Sequence, residues 1–139
     1  LNIGIEGPKG GKLDLGLQAY ATLAVRSFAK QLGISRLHTN IVVRMHSKVH
    51  VGEFGTEGLC EPIDRRNFII DVALYGNWLS ILAHEMVHVK QFALDEMDLG
   101  LSRWKSNKYC ENIEYWDQPW EKEARKLQHK MVAEFDKLD

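Results

Sequence analysis

A chain of 139 residues with 45% apolar and 27% charged side chains has the composition of one ordinary globular domain, taken here as residues 1–139. Its formal net charge of −1 argues against the strong basic field of a nucleic-acid or acidic-membrane binder. No apolar run approaches the roughly 20 residues of a bilayer span and no signal-like leader is visible, so the expectation is a soluble, cytoplasmic protein without a membrane partner.

In chain order, residues 1–12 are rich in Gly, carry Pro8 and read as an extended arm or loop. Residues 14–32 read as an amphipathic helix, with Leu15, Leu17, Ala21, Leu23, Val25 and Phe28 on a broad apolar face and Gly33 as a left-handed stop. Residues 40–46 form a β-branched run, hence a strand. Residues 49–53 alternate and suggest a second strand, and residues 67–72 a third. Gly76 breaks the chain, and Asn77 is placed to cap a helix over residues 78–94. A less regular stretch follows, with a short hairpin expected over 104–109, and Pro119 then opens a last helix reaching about residue 138. Segregated strands and helices predict an α+β fold: a small twisted, mostly antiparallel sheet packed against the middle helix. Cys60 and Cys110 have no CxxC spacing, and one disulfide or two thiols fit equally.

The middle helix carries the chemistry. His84-Glu85-Met86-Val87-His88 places two imidazoles at i and i+4, on one face and one turn apart, where they can grip one metal ion. Glu85 can then act as a general base without being a ligand. At this composition the pattern arises by chance in roughly 2% of chains, and a helical, mostly apolar setting makes chance rarer still. The bland alternative is a pair of satisfied core histidines with Glu85 as their partner. Two imidazoles under-coordinate a catalytic zinc, which takes three protein ligands and keeps one position open. His129 and the acids of the last helix are the downstream candidates; Glu121 lies 121 − 88 = 33 residues beyond His88, enough for the chain to turn round.

An HExxH motif followed by a helix-borne glutamate resembles the gluzincin group of zinc metallopeptidases. Residues 82–91 and 115–124 are similar to the small single-domain metallopeptidases of phages and bacteria, and the likeness covers mainly residues 66–130. The resemblance implies a zincin-like fold, zinc as cofactor, a peptide or protein substrate, and Glu121 as third ligand, with Ala124 small enough to let two helices approach. Glu123 is the rival, about 200° round the helix. One residue past Ala124 the chain departs from some relatives. It has Arg125 where they carry an acid or amide that orients a ligand, and Arg125 could instead pair with Glu121. The resemblance also implies an oxyanion-stabilising Tyr or His near the third ligand, for which Tyr115 and Tyr109 are candidates. It implies as well a sheet edge along which a peptide adds as a strand, for which residues 49–58 are the candidate, with an ordinary loop as the equal alternative for that segment.

Two other readings separate from this one. An SprT-like protease acting on DNA-bound proteins shares HExxH but takes a His as third ligand. His129 is the only His after His88, and no strongly basic surface is indicated, so nucleic acid is not the expected partner. A zinc-stabilised interaction module would have no use for Glu85. His38, His46, His50 and His129 read as surface or packing residues, and Trp78, Trp104, Trp116 and Trp120 as packing aromatics. Lys90 and Gln91 are expected to face solvent.

Overall fold

The computed structural model describes residues 1–7, 13–47, 51, 56–105, 107, 108 and 113–137. Four strands, β1 (Asn2–Glu6), β2 (Asn40–His46), β3 (Gly58–Pro62) and β4 (Asn67–Ala73), form one sheet in the order β1-β2-β4-β3. Helices α1 (Leu15–Gln31) and α2 (Trp78–Ala93) pack against it, and α3 (Pro119–Asp136) packs on α2 and α1. A two-residue hairpin of β5 (Arg103–Trp104) and β6 (Asn107–Lys108) lies between α2 and α3, followed by one 3-10 turn at Tyr115–Asp117. The α+β class holds.

The mostly antiparallel sheet does not. β1 pairs parallel to β2, and β2 parallel to β4; only β3 runs antiparallel, on β4. The N-terminal arm is the source of the error, because residues 2–6 form a strand and the helix after them is a crossover. A crossover helix returns the chain to the same end of the sheet and so makes the next strand parallel. The strand expected at 49–53 lies, apart from Val51, outside the described residues; Val51 is bridged to Thr56. β3 contains Gly, Pro and no β-branched residue, so its composition does not mark it as a strand. Pro62 is tolerated there because β3 is an edge strand.

Alternation sorts the sheet's two faces. Ile41, Val43 and Met45 of β2 and Phe68, Ile70 and Val72 of β4 are buried and meet Ala24, Val25 and Phe28 of α1 and Leu82, Met86 and Val89 of α2 in one apolar core. On α1 the buried face is Ala21, Ala24, Val25, Phe28 and Ala29, whereas Leu15 and Leu23 are exposed. Asp14 caps that helix by accepting from Leu17 N, and Gly33 stops it at φ 76°. At the N-terminal ends of the parallel strands an amide ladder sets the register. Asn2 Nδ2 donates to Asn40 Oδ1 (2.9 Å) and Asn40 Nδ2 to Asn67 Oδ1 (2.9 Å). Asn67 Nδ2 donates in turn to Asp64, which also accepts from the backbone of Arg66 and Asn67 to shape the β3–β4 turn.

Helix α2 is covered on its sheet side by the core and on another side by α3. Asn77 precedes it without a side-chain capping bond. α3 begins at Pro119, the first-turn position where a missing N–H costs nothing, and buries Glu121, Ala124, Met131 and Phe135. Ala124 is fully buried. Among the described residues, no helix is long and apolar enough to cross a membrane.

The Ala124→Leu variant tests the close approach of α3. Overpacking there is expected to cost about 1–3 kcal/mol in urea unfolding. An unchanged unfolding midpoint would show that α3 does not need a small residue at this contact.

Candidate metal centre

α2 and α3 together build the site. His84 and His88 sit one turn apart on α2, with ring centroids 5.0 Å apart and planes at 75°. Both Nε2 atoms turn to one carboxylate: His84 Nε2 lies 2.8 Å from Glu121 Oε2, and His88 Nε2 lies 3.0 Å from Glu121 Oε1. One ligand atom from each of the three residues falls within 4.8 Å of the others, so the group could hold a metal ion. Bonds of about 2.0–2.1 Å in a tetrahedron place neighbouring ligand atoms about 3.3 Å apart, and the two imidazole–carboxylate distances fall a few tenths of an ångström short of that.

The far sides of both imidazoles are held by amides. Gln128 Oε1 accepts from His84 Nδ1 at 2.6 Å, and Gln91 Oε1 from His88 Nδ1 at 2.8 Å. The Gln91 amide has its orientation imposed, because its Nε2 donates to Trp120 O (2.9 Å) and Glu123 Oε1 (3.1 Å). Each Nδ1 therefore donates away from the site, and each Nε2, bonded to Glu121, is the atom that a metal would take in exchange for a proton. Two imidazoles and one carboxylate beside a cleft are a donor set that could hold a divalent ion, zinc among them.

Gln91 is fully buried, which corrects the expectation that it faces solvent. Lys90 is half covered as well, with Nζ 2.7 Å from Glu96 and 3.0 Å from Glu123. Glu123, the rival candidate, has its carboxylate engaged by Lys90 and Gln91 and is not part of the group that could hold a metal. Burial works to raise its pKa, but the Gln91 and Lys90 bonds outweigh that and hold it low. Arg125 does not act on a ligand either: its Nη2 donates to Trp116 O at 2.7 Å. The amide that orients His84 comes one turn later, from Gln128.

Glu85 is buried beside this group, 7% exposed. Burial raises its carboxyl pKa; the two imidazoles pull it down and Glu121 pushes it up, with a net rise. A carboxylate made more basic in this way suits a proton acceptor. β3 crosses directly against it. A Cβ built on Gly58 would fall 2.4 Å from Ile81 Cγ2 and 3.1 Å from Glu85 Oε2, so only glycine lets the edge strand come this close.

Tyr115 Oη donates to Glu121 Oε2 at 3.0 Å, and burial together with the Glu121 charge pushes its pKa up to about 12. Its phenol therefore remains a donor. Tyr109 and Cys110 lie outside the described residues. Cys60, on β3, is a free, half-buried thiol whose pKa is raised by burial and by Glu85 and Glu61. His46 pairs with Asp71 at 2.7 Å, on β2 and β4. Trp104 is buried and Trp78 and Trp120 pack against the core, but Trp116 is 68% exposed at the mouth of the site.

His84, Glu85, His88 and Glu121 line a cleft of about 990 Å³. Gly58 and Cys60 of β3 and Tyr115 with Trp116 also line it, and Phe92, Met97 and Trp120 add apolar surface. The edge strand that reaches the cleft is thus Gly58–Pro62, and only the last residue of the 49–58 segment belongs to it. Comparison with protein-family models, with curated proteins and with solved structures finds no match to this chain.

Burial lowers the pKa of His88, but Glu121, Glu85 and Gln91 outweigh it and carry it up to about 9. A raised histidine pKa contributes stability to the metal-free fold that is complete below about 6.5, the unfolded value, and is lost as pH rises through about 9. A metal must displace that proton, so zinc affinity is expected to climb from pH 6.5 to 9, as read by competition with a chelator. A flat profile across that window would contradict the arrangement. Replacing Gln91 by Leu leaves His88 Nδ1 without its acceptor, and about a 10–100-fold loss of zinc affinity is expected in the same assay.

Proposed function

We propose that the protein is a zinc-dependent peptidase with a gluzincin-type ligand set, cutting peptide bonds of a peptide or protein substrate. One observation carries the reading. A carboxylate on α3 is shared between two Nε2 atoms on α2, and the residue next to the first imidazole is a buried, basic glutamate facing the same open cleft. A purely structural metal site closes its coordination and gains nothing from such a glutamate. A buried carboxylate between two imidazoles, with amides behind both, is costly to build as a stability device alone.

In this reading His84, His88 and Glu121 hold the ion. When bound, zinc supplies a Lewis acid that polarises a carbonyl and acidifies a water. Glu85 accepts the proton of the attacking water and returns it to the leaving amine. Burial and the crossing of β3 at Gly58 keep its carboxylate in place for both transfers. Tyr115 is the candidate donor to the oxyanion that develops on the carbonyl, its hydroxyl turning from Glu121 to the substrate. An extended peptide would lie along the outer edge of β3, exchanging main-chain hydrogen bonds as an added strand. The apolar side chains of Phe92, Met97 and Trp120 favour a substrate with apolar residues at that end of the cleft.

The Glu85→Gln variant separates base from ligand. It is expected to keep one zinc per chain while peptide turnover falls about 10²–10⁴-fold. Hydrolysis at the parent rate by a zinc-loaded Glu85→Gln protein would remove Glu85 from the mechanism. A second variant, Gly58→Ala, is expected to keep zinc and lower turnover by pushing Glu85 aside, with kcat as the readout.

A further inference from the structure

The 3-10 turn Tyr115–Asp117 stands over the site, yet none of its residues is buried. Tyr115 is 49% and Trp116 68% exposed. Apolar burial therefore does little to hold it, and its position needs another cause.

That cause lies on α3. Arg125 stands four residues after Glu121, on the same helical face one turn along. Its Nη2 donates to Trp116 O at 2.7 Å. Its guanidinium carbon lies 4.6 Å from the Trp116 ring centre and 5.7 Å from that of Tyr115. The two rings meet edge to face, with centroids 5.7 Å apart and planes at 83°. A planar guanidinium can stack on a ring and donate in its own plane at once, which an ammonium cannot. Among the described residues Arg125 Nη1 is buried and has no hydrogen-bond partner.

We propose that Arg125 is a positioning residue that clamps the Tyr115–Asp117 turn onto α3 and thereby sets the reach of the Tyr115 hydroxyl. Glu121 and Arg125 share one helical face, so the third ligand and the clamp move as one rigid piece. The hydroxyl, 3.0 Å from Glu121 Oε2, is delivered to the ligand carboxylate by the residue one turn further on. Arg125 acts through Tyr115 and touches no reacting atom. The catalytic part of this inference rests on the peptidase reading; the clamp itself does not.

Amide hydrogen exchange on the zinc-loaded, full chain tests the clamp without any substrate. The reporters are the turn's own amides, Asp117 N bonded to Glu114 O (2.9 Å) and Gln118 N bonded to Tyr115 O (3.3 Å). Arg125→Ala is expected to speed exchange at both by at least about tenfold, with α2 amides and zinc stoichiometry unchanged. Unchanged exchange at Asp117 and Gln118 would overturn the proposal. A double-mutant cycle then reads the route. Arg125→Ala is expected to lower kcat more than it changes KM, and to cause no further loss in a Tyr115→Phe background. Additive losses would show that Arg125 does not work through Tyr115. If the parent protein cleaves no peptide, the peptidase reading fails, and the exchange result still decides the clamp.

Discussion

One carboxylate shared between two imidazoles organises this protein. Glu121 gives one oxygen to His84 and the other to His88, and all three side chains are nearly out of water. Burial alone would drive Glu121 to protonate, but the two imidazole bonds hold its pKa well below the usual carboxylate range. A negative charge kept in such a place needs a cation or a metal beside it. The surrounding structure follows from that need. Pro119 starts α3 just before Glu121, in the same first turn, buried Ala124 lets α3 lie close on α2, and Gln91 and Gln128 fix the rings from behind.

The support reaches further out in a short relay. Lys90 and Gln91 both meet the Glu123 carboxylate, Gln91 meets His88, and Lys90 also reaches Glu96 in the segment after α2. Two adjacent residues of α2 are thereby tied both to α3 and to the chain between the helices. A ligand ring is oriented only as well as the groups behind it, which gives these polar residues a function that their side-chain types do not announce.

Much of the centre could be read from the chain. The i, i+4 histidines on an apolar helix named their own face, the strand at 40–46 was visible from its β-branched run, and a helix opened by Pro119 put Glu121 in its first turn. The sheet topology was not legible. β1 has only five residues and includes Gly4, so it looked like an arm, and losing it hid the crossover that makes β1 and β2 parallel. β3 carries none of the residue types that mark a strand. Gln91 lies three residues after His88, and Gln128 seven after Glu121, both helical same-face spacings that could have shown them. Gln91 next to Lys90 looked solvated instead, because a polar pair usually is. Gly58 has no local signal at all: its demand for a missing Cβ comes from Ile81 and Glu85, more than twenty residues away in sequence.

The central claim is that α3 supplies its ligand through Glu121 and not through its neighbour two residues on. Zinc measured per chain by elemental analysis after exhaustive dialysis, in Glu121→Ala and Glu123→Ala side by side, tests it most directly. The account predicts one zinc per chain in Glu123→Ala, held less tightly than in the parent, and little or none in Glu121→Ala. Full zinc in Glu121→Ala, or loss confined to Glu123→Ala, would contradict it.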